Sequence, residues 1–578
     1  MPDSPETARS LPWRGRCSVP RWCIALATVF AVLTAVGYWT DRYDNLVYLR
    51  ERPLGFVLLL VCSFVGYVLV LSWGSRLLDR AADASVGAAR RPLAWRYPVY
   101  VGILLLCWLP WLIVCAPGSL SGDLFSQVPQ WFGAEPMTAH HPPLSSAIYG
   151  ILFAMGSAIG GSNGALLAIM GAQALTMACA LAYALRTVSR LGCPRALSIA
   201  LIVFCAVLPV FPTYAQWLVK DTLSSSALSV FMTLLLSQSF ELGEDGCLRR
   251  WAVLAVAGLL SCLLRNNNVF VVLTALVTFA LAAPRGSDGA GAAGRRAALS
   301  VAAVVLVTNL LVTNLLYPAL GIAKGSVKEV LSLPFQQVAR CVRDNMEDVS
   351  PEQREVIEKT LGNSLEGIAA SYDESISDPV KDSFQSTGNE HLMRFMGVWL
   401  ELGLSHPADY LVAAIQGSNG YWYPFGVRAQ TSNFYSSQAP VSPVTGEEPL
   451  WETLGMEPAT ATFPEMATTA ARVGWGLSQL PLISLLYHPA TYLWIEAVLA
   501  FHVLFSVKKR SCLGMRPMAA GLLAATVILT LTCCASPVNA LVRYALSLWF
   551  FLPLAAALPF LQKANTSPSE VDDKLLSD

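Results

Sequence analysis

An acid, a pair of histidines and a pair of prolines share the stretch SGDLFSQVPQWFGAEPMTAHHPPL at 121–144, which holds no Lys or Arg although apolar sequence flanks it. A carboxylate such as Asp123, just beyond an apolar span, is partly shielded from water yet reaches water-borne substrate, which suits a general base. The plainer reading is a helix cap, a role in which Asp is favoured. His140 and His141 precede Pro142 and Pro143, which exclude regular helix through that point. Adjacent histidines diverge, so they read first as hydrogen-bonding groups that fix the loop and orient a ligand. With Asp123 and Glu135 they also offer donors for a divalent cation.

Cations stand at other span edges. PTYAQWLVKDTLSSS sets Lys220 beside Asp221. Either the two neutralise each other at the interface and the lysine snorkels, or Lys220 binds an anionic headgroup while Asp221 positions a hydroxyl or a cation. Arg265, in LLRNNNVF, lies at an outer turn and opposes the positive-inside bias, so it reads as an interface anchor or as the partner of something anionic. Arg543 opens the last apolar span, and LSLPFQQVARCVRDN adds Gln336, Gln337 and Arg340. The aromatic cluster NGYWYPFG (419–426) fits a core or interfacial belt better than a platform for sugars.

The elements that must position these groups are apolar helices. Of 578 residues, 54% are hydrophobic and 13% charged, and the mean hydropathy is +0.51, the profile of an all-α polytopic membrane protein. Net charge is zero, so no basic field suggests nucleic acid. Most of the 14 cysteines fall in apolar segments and form neither a disulfide framework nor a CxxC site.

Hydropathy predicts about twelve spans, near 22–40, 54–73, 98–117, 163–185, 196–212, 223–240, 251–264, 268–283, 297–317, 489–506, 517–535 and 544–561. The first is read as a retained helix, because the run from Trp22 to Trp39 is long for a signal peptide. Arginines in the N-terminal segment and in the loop 74–97 place both in the cytoplasm, and the loop 118–142 therefore outside. Parity holds if 143–160, with Gly150, Gly156 and Gly160, is a re-entrant or interfacial helix. The expected organisation is a transmembrane bundle at 1–317, a mostly helical extracytoplasmic domain at 318–484 and transmembrane helices at 485–561. GSDGAGAAG (286–294) reads as a flexible cytoplasmic connector and 562–578 as a disordered cytoplasmic tail.

The acid in SGDLFSQ, the HHPPL motif, LVKDTLSSS and the late RY at 543–544 together resemble the GT-C superfamily of membrane glycosyltransferases, across roughly 1–317 and 489–561. The resemblance implies a polyprenyl-phosphate-linked sugar donor, an acceptor in the cell envelope (glycan, lipid or protein), and inversion at the anomeric carbon with Asp123 as base. It also implies substrate binding by His140, His141, Lys220, Asp221, Arg265, Arg340 and Arg543, with the cations on the leaving phosphate. No second, clearly paired acid accompanies Asp123, which leaves metal dependence open. A transporter or flippase of a lipid-linked saccharide, or a non-catalytic membrane scaffold, would use the same edge charges, although no inverted repeat is detectable.

Overall fold

The computed structural model describes residues 19–87, 93, 95–240, 247–283, 290–385, 388–426, 444–445, 447–505 and 514–561. The N-terminal arginines at 9–16, residues 286–289 of the connector and the tail at 562–578 lie outside these residues. Among the described residues the architecture is helical throughout, with three isolated β-bridges and no strand. The longer helices are α1 (Arg21–Thr40), α2 (Pro53–Gly87), α3 (Tyr97–Val114), α4 (Gly122–Phe132), α5 (Pro143–Arg190), α6 (Arg195–Val207), α7 (Val210–Gln216) and α8 (Lys220–Phe240). They continue with α9 (Cys247–Leu264), α10 (Asn268–Ala282), α11 (Ala290–Leu311), α12 (Ser332–Asp344), α13 (Pro351–Leu361), α14 (Asn389–Ser405), α15 (Pro407–Gln416), α16 (Pro464–Ser478), α17 (Pro489–Phe505), α18 (Arg516–Cys534) and α19 (Ser547–Ala557). Residues 290–294, expected in the flexible connector, instead open α11, where alanines favour helix.

Eight helices are long and apolar enough to cross a bilayer, or ten if two bent pairs each count as one span. The pairs are α6 with α7, bent by 46°, and Pro481–Tyr487 with α17, bent by 77°. The apolar stretch at 268–283 forms α10, whose 15 residues reach only about 22 Å, short of a hydrocarbon core of roughly 30 Å. Leu54, Leu58, Val61, Leu69 and Trp73 of α2 are exposed, as a face turned to lipid requires. α8 is the opposite case: Thr222, Ser224, Ser225, Ser226, Ser229 and Thr233 are all buried, so this polar helix runs inside the bundle.

α5 is not straight. Gly160 and Gly161 leave helical geometry, Gly161 at φ 58°, ψ −148°, a conformation for which glycine is suited. Residues 156 and 168 of a straight helix would stand about 18 Å apart. Here a Cβ on Gly156 would meet Ala168 Cβ at 2.7 Å, so the helix folds back on itself. The segment 143–160 is thus the first arm of a helical hairpin, and α4 packs against it with the Trp131 ring lying on Gly150.

Beyond α11, residues 331–410 carry their own core: Phe335, Val338, Ala339 and Val342 of α12 meet Ile357, Leu361, Phe395, Leu402 and Tyr410. Ser350 begins α13 with a capping box to Gln353. The later stretch packs elsewhere: Val444, Leu450, Trp451 and Ala459 join the core of α4 and α5.

Candidate functional site

The site forms because two chain segments run side by side. Ser119 N donates to Gln216 O at 3.2 Å and to Gln216 Oε1 at 2.9 Å, Leu218 N donates back to Ser119 O at 2.9 Å, and Ser121 Oγ donates to Leu218 O at 2.6 Å. Gln173 of α5 secures this seam from behind, with Nε2 donating to Trp217 O at 2.6 Å and Oε1 accepting from Tyr149 OH at 2.8 Å. Helices α4 and α8 both start where the seam ends, so Asp123 and Lys220 face each other across first turns and form an ion pair. Ser121 occupies the N-cap position of α4, so Asp123 is not the cap.

Two further elements close around this pair. Arg543 Nη1 reaches Asp123 Oδ1 at 3.3 Å. His141 Nδ1 lies 3.0 Å from Lys220 Nζ, and its loop is tied to α4 by Gln127 Nε2 donating to Ser145 Oγ at 2.7 Å. Next to them Arg265 forms an ion pair with Asp221. Lys220 and Asp221 therefore do not neutralise each other: successive residues on a helix point apart, and each finds a partner from a distant segment. The turn carrying Arg265 is held by Asn268 Nδ2, which donates to Ser224 Oγ and Ser261 Oγ, both at 2.9 Å. Tyr544 joins the two halves, its ring 5.1 Å from the Arg265 guanidinium and 5.0 Å from that of Arg543.

Three cations thus meet two carboxylates, an excess of one positive charge. Burial disfavours the charged carboxylate, but Arg543 and then Lys220 hold Asp123 well below the usual carboxylate range. Burial, reinforced by Lys220, pushes the His141 imidazole down to about 3, so near neutral pH it is uncharged and its Nδ1 accepts from the lysine. The Arg543 side chain is only 15% exposed, and its Nε is buried with no hydrogen-bond partner among the described residues. An unpaired donor beside surplus positive charge is an arrangement that an anion would satisfy.

Arg340, also expected in the site, lies apart from it, while His140 stands at its edge. Arg340 is fully buried, but its partners are the side chain and main-chain oxygen of Asp44, Gln416 Oε1 at 2.9 Å and Tyr372 OH at 3.3 Å, none of them in the cluster. It ties α12 to the segment after α1. Its guanidinium is already matched by Asp44, with Asp344 3.5 Å and Asp409 3.9 Å away, so it has no charge to spare for a phosphate. Gln336 and Gln337 likewise serve the main chain of Asp373 and Tyr410. His140 is exposed, its ring edge-on to His141 with centroids 4.5 Å apart. Among the described residues no three or more His, Cys, Asp or Glu side chains are grouped to hold a metal ion, and two cations already engage Asp123, so the donor set expected with Glu135 is not assembled. Trp217, 5.8 Å from the Arg543 guanidinium, and Tyr544 complete the site; their proximity to Lys220 and Arg543 in sequence was the available signal.

No curated protein and no solved structure matches the chain. One family model does, over residues 129–574, a range that begins just after Asp123 and includes His141, Lys220, Asp221, Arg265 and Arg543. That match spans most of the sequence: the chain belongs to a family of unknown function, DUF6020.

Proposed function

We propose that this protein is a membrane glycosyltransferase of the GT-C kind, moving a sugar from a polyprenyl-phosphate-linked donor to a cell-envelope acceptor. The observation that carries the reading is the excess of cations around a carboxylate at a membrane-helix edge, with Arg543 Nε buried and unpaired. The donor phosphate takes the charge of Lys220 and Arg543. Asp123, relieved of those partners, regains the proton affinity a base needs. It removes the proton of an acceptor hydroxyl, whose oxygen bonds to the anomeric carbon with inversion. The bond from that carbon to the phosphate oxygen breaks, and the polyprenyl phosphate leaves with the electron pair, stabilised by the same cations. Neutral His141 keeps Lys220 aimed at the site. In this reading the site and the 331–410 helices are extracytoplasmic, both chain ends are cytoplasmic and the host bilayer is the cell membrane.

The bent pairs at α6–α7 and before α17 favour a second reading, transport of a lipid-linked saccharide, since broken helices mark many transporters. Mass-spectrometric profiling of envelope glycans and lipid-linked sugars in the native host separates the two. A deletion strain and Asp123→Asn should both lose one envelope sugar and accumulate its polyprenyl-phosphate donor. An Asp123→Asn profile identical to wild type, beside an altered deletion profile, would favour transport.

A further inference from the structure

The loop that delivers Arg543 is gripped by the 331–410 helices and by the segment that follows them into the bundle. Between α18 and Arg543 the chain runs through Ser536–Leu541, and Ala540 there adopts φ 54°, a left-handed conformation unfavourable for a residue with a Cβ. Such a backbone persists only where its surroundings hold it, and here they do. Ser377 N donates to Pro537 O at 2.7 Å, and Asn539 N donates to Ser375 O at 2.8 Å. The buried Asn539 side chain donates to Gln416 O and Asn419 Oδ1, each at 2.7 Å, and accepts from Gly420 N at 2.9 Å. Tyr421, fully buried, donates its hydroxyl to Val538 O at 2.7 Å and accepts from Leu541 N at 3.1 Å, bracketing Ala540 on both sides. The chain leading into the 331–410 helices also grips the histidine loop: Ala139 N donates to Ala323 O at 2.7 Å and Ala323 N to Met137 O at 3.0 Å.

We propose that Asn539 and Tyr421 are positioning residues for the anion site: through them the segment 416–421, which leaves the helical unit and enters the bundle core at Tyr421, sets the register of Arg543 against Asp123. This rests on the reading that Arg543 binds a phosphate. Two loops distant in sequence, one carrying His141 and one carrying Arg543, are held by the segments that flank one helical unit, Ala323 before it and 416–421 after it, so the spacing of the site's walls depends on how those segments sit. A crevice of about 20 Å³ between unit and loop, lined by Gln336, Ser377, Cys534 and Ser536, is room for a single water, and the buried Gln336 Oε1 and Ser377 Oγ facing this seam have no protein partner among the described residues.

The test uses the full chain in detergent with farnesyl phosphate as probe, its Kd measured by titration calorimetry. Tyr421→Phe keeps the ring and removes both hydroxyl bonds, and it should weaken binding about tenfold with little change in melting temperature. Asn539→Ala should do the same and serves if the first variant folds poorly. In an Arg543→Ala background, neither substitution should weaken binding further, because nothing remains to be positioned. Wild-type affinity in both variants, or an equal loss in the Arg543→Ala background, overturns the positioning role. Wild-type affinity in Arg543→Ala alone is a separate outcome that removes the phosphate reading, and this role with it.

Discussion

Replacing the base should improve binding of the leaving group. Asp123 holds Lys220 in an ion pair and accepts from Arg543 at 3.3 Å, so an arriving phosphate must compete with it for both cations. Asp123→Asn removes that competitor and raises the surplus from one positive charge to two. A hydrogen bond to a charged group contributes about 1.5–3 kcal/mol net, so sparing the loss of one such bond tightens phosphate binding by roughly tenfold to a hundredfold. Without a ligand the same substitution is costly. Breaking one side of a buried ion pair costs about 3–5 kcal/mol, and side chains 12–15% exposed bring the expected loss just below that range, to about 2–3 kcal/mol. Thermal unfolding of the purified protein with and without farnesyl phosphate reads both effects. Asp123→Asn should melt lower than wild type alone and gain more from the probe, while transfer is abolished. If Asp123→Asn binds the probe more weakly than wild type, Asp123 does not compete with the anion and the charge argument fails.

His141 gives a pH signature. Its imidazole is depressed to about 3 in the fold and titrates near 6.5 in the unfolded chain, so the unfolded state binds more protons between these values. Stability should be complete above pH 6.5 and fall by up to about 1.4 kcal/mol per unit as pH drops towards 3; His141→Gln should flatten that slope in melting curves. Arg340→Met should destabilise by about 3 kcal/mol, because it leaves Asp44 with less compensation, while the folded protein keeps wild-type affinity for the probe. Gly156→Val should disrupt the α5 hairpin, since even a Cβ there would stand 2.2 Å from Gly164 O; loss of folded protein on size exclusion is expected, and a normal elution profile would contradict the hairpin. In a cysteine-free background, Cys introduced at exposed Glu352 should react with an impermeant thiol reagent added outside whole cells, and Cys at exposed Arg80 should not; reversed labelling would overturn the proposed orientation.

The helical membrane character was legible because it is a local property. Each of the twelve apolar stretches is helical over most of its length, one of them across the α6–α7 bend, since length and side-chain hydropathy are carried by neighbours in sequence. The glycines at 156 and 160 marked a segment that does not simply cross, and the helix does turn back there. Span number was less legible, because bends and short helices such as α10 depend on what packs around them.

Residue type alone also singled out Asp123, His141, Lys220, Asp221, Arg265 and Arg543, because charges at the edges of apolar spans are costly and stand out. Which of them meet was decided by tertiary structure. Lys220 stands beside Asp221 in the chain yet pairs with Asp123, 97 residues away, because the hydrogen-bonded seam of Ser119–Ser121 with Gln216–Leu218 aligns two helix starts. Arg340 carries the same charge as Arg543 and looked equally suitable, but Asp44, from a segment 296 residues away, neutralises it. Asn539 carries no such signal, and Tyr421 reads only as part of an aromatic core or belt, since a buried amide and a buried phenol acquire a role only from the loop they hold. Sequence determines which groups must be satisfied away from water; the fold decides which partner satisfies each one, and so which charge remains for a ligand.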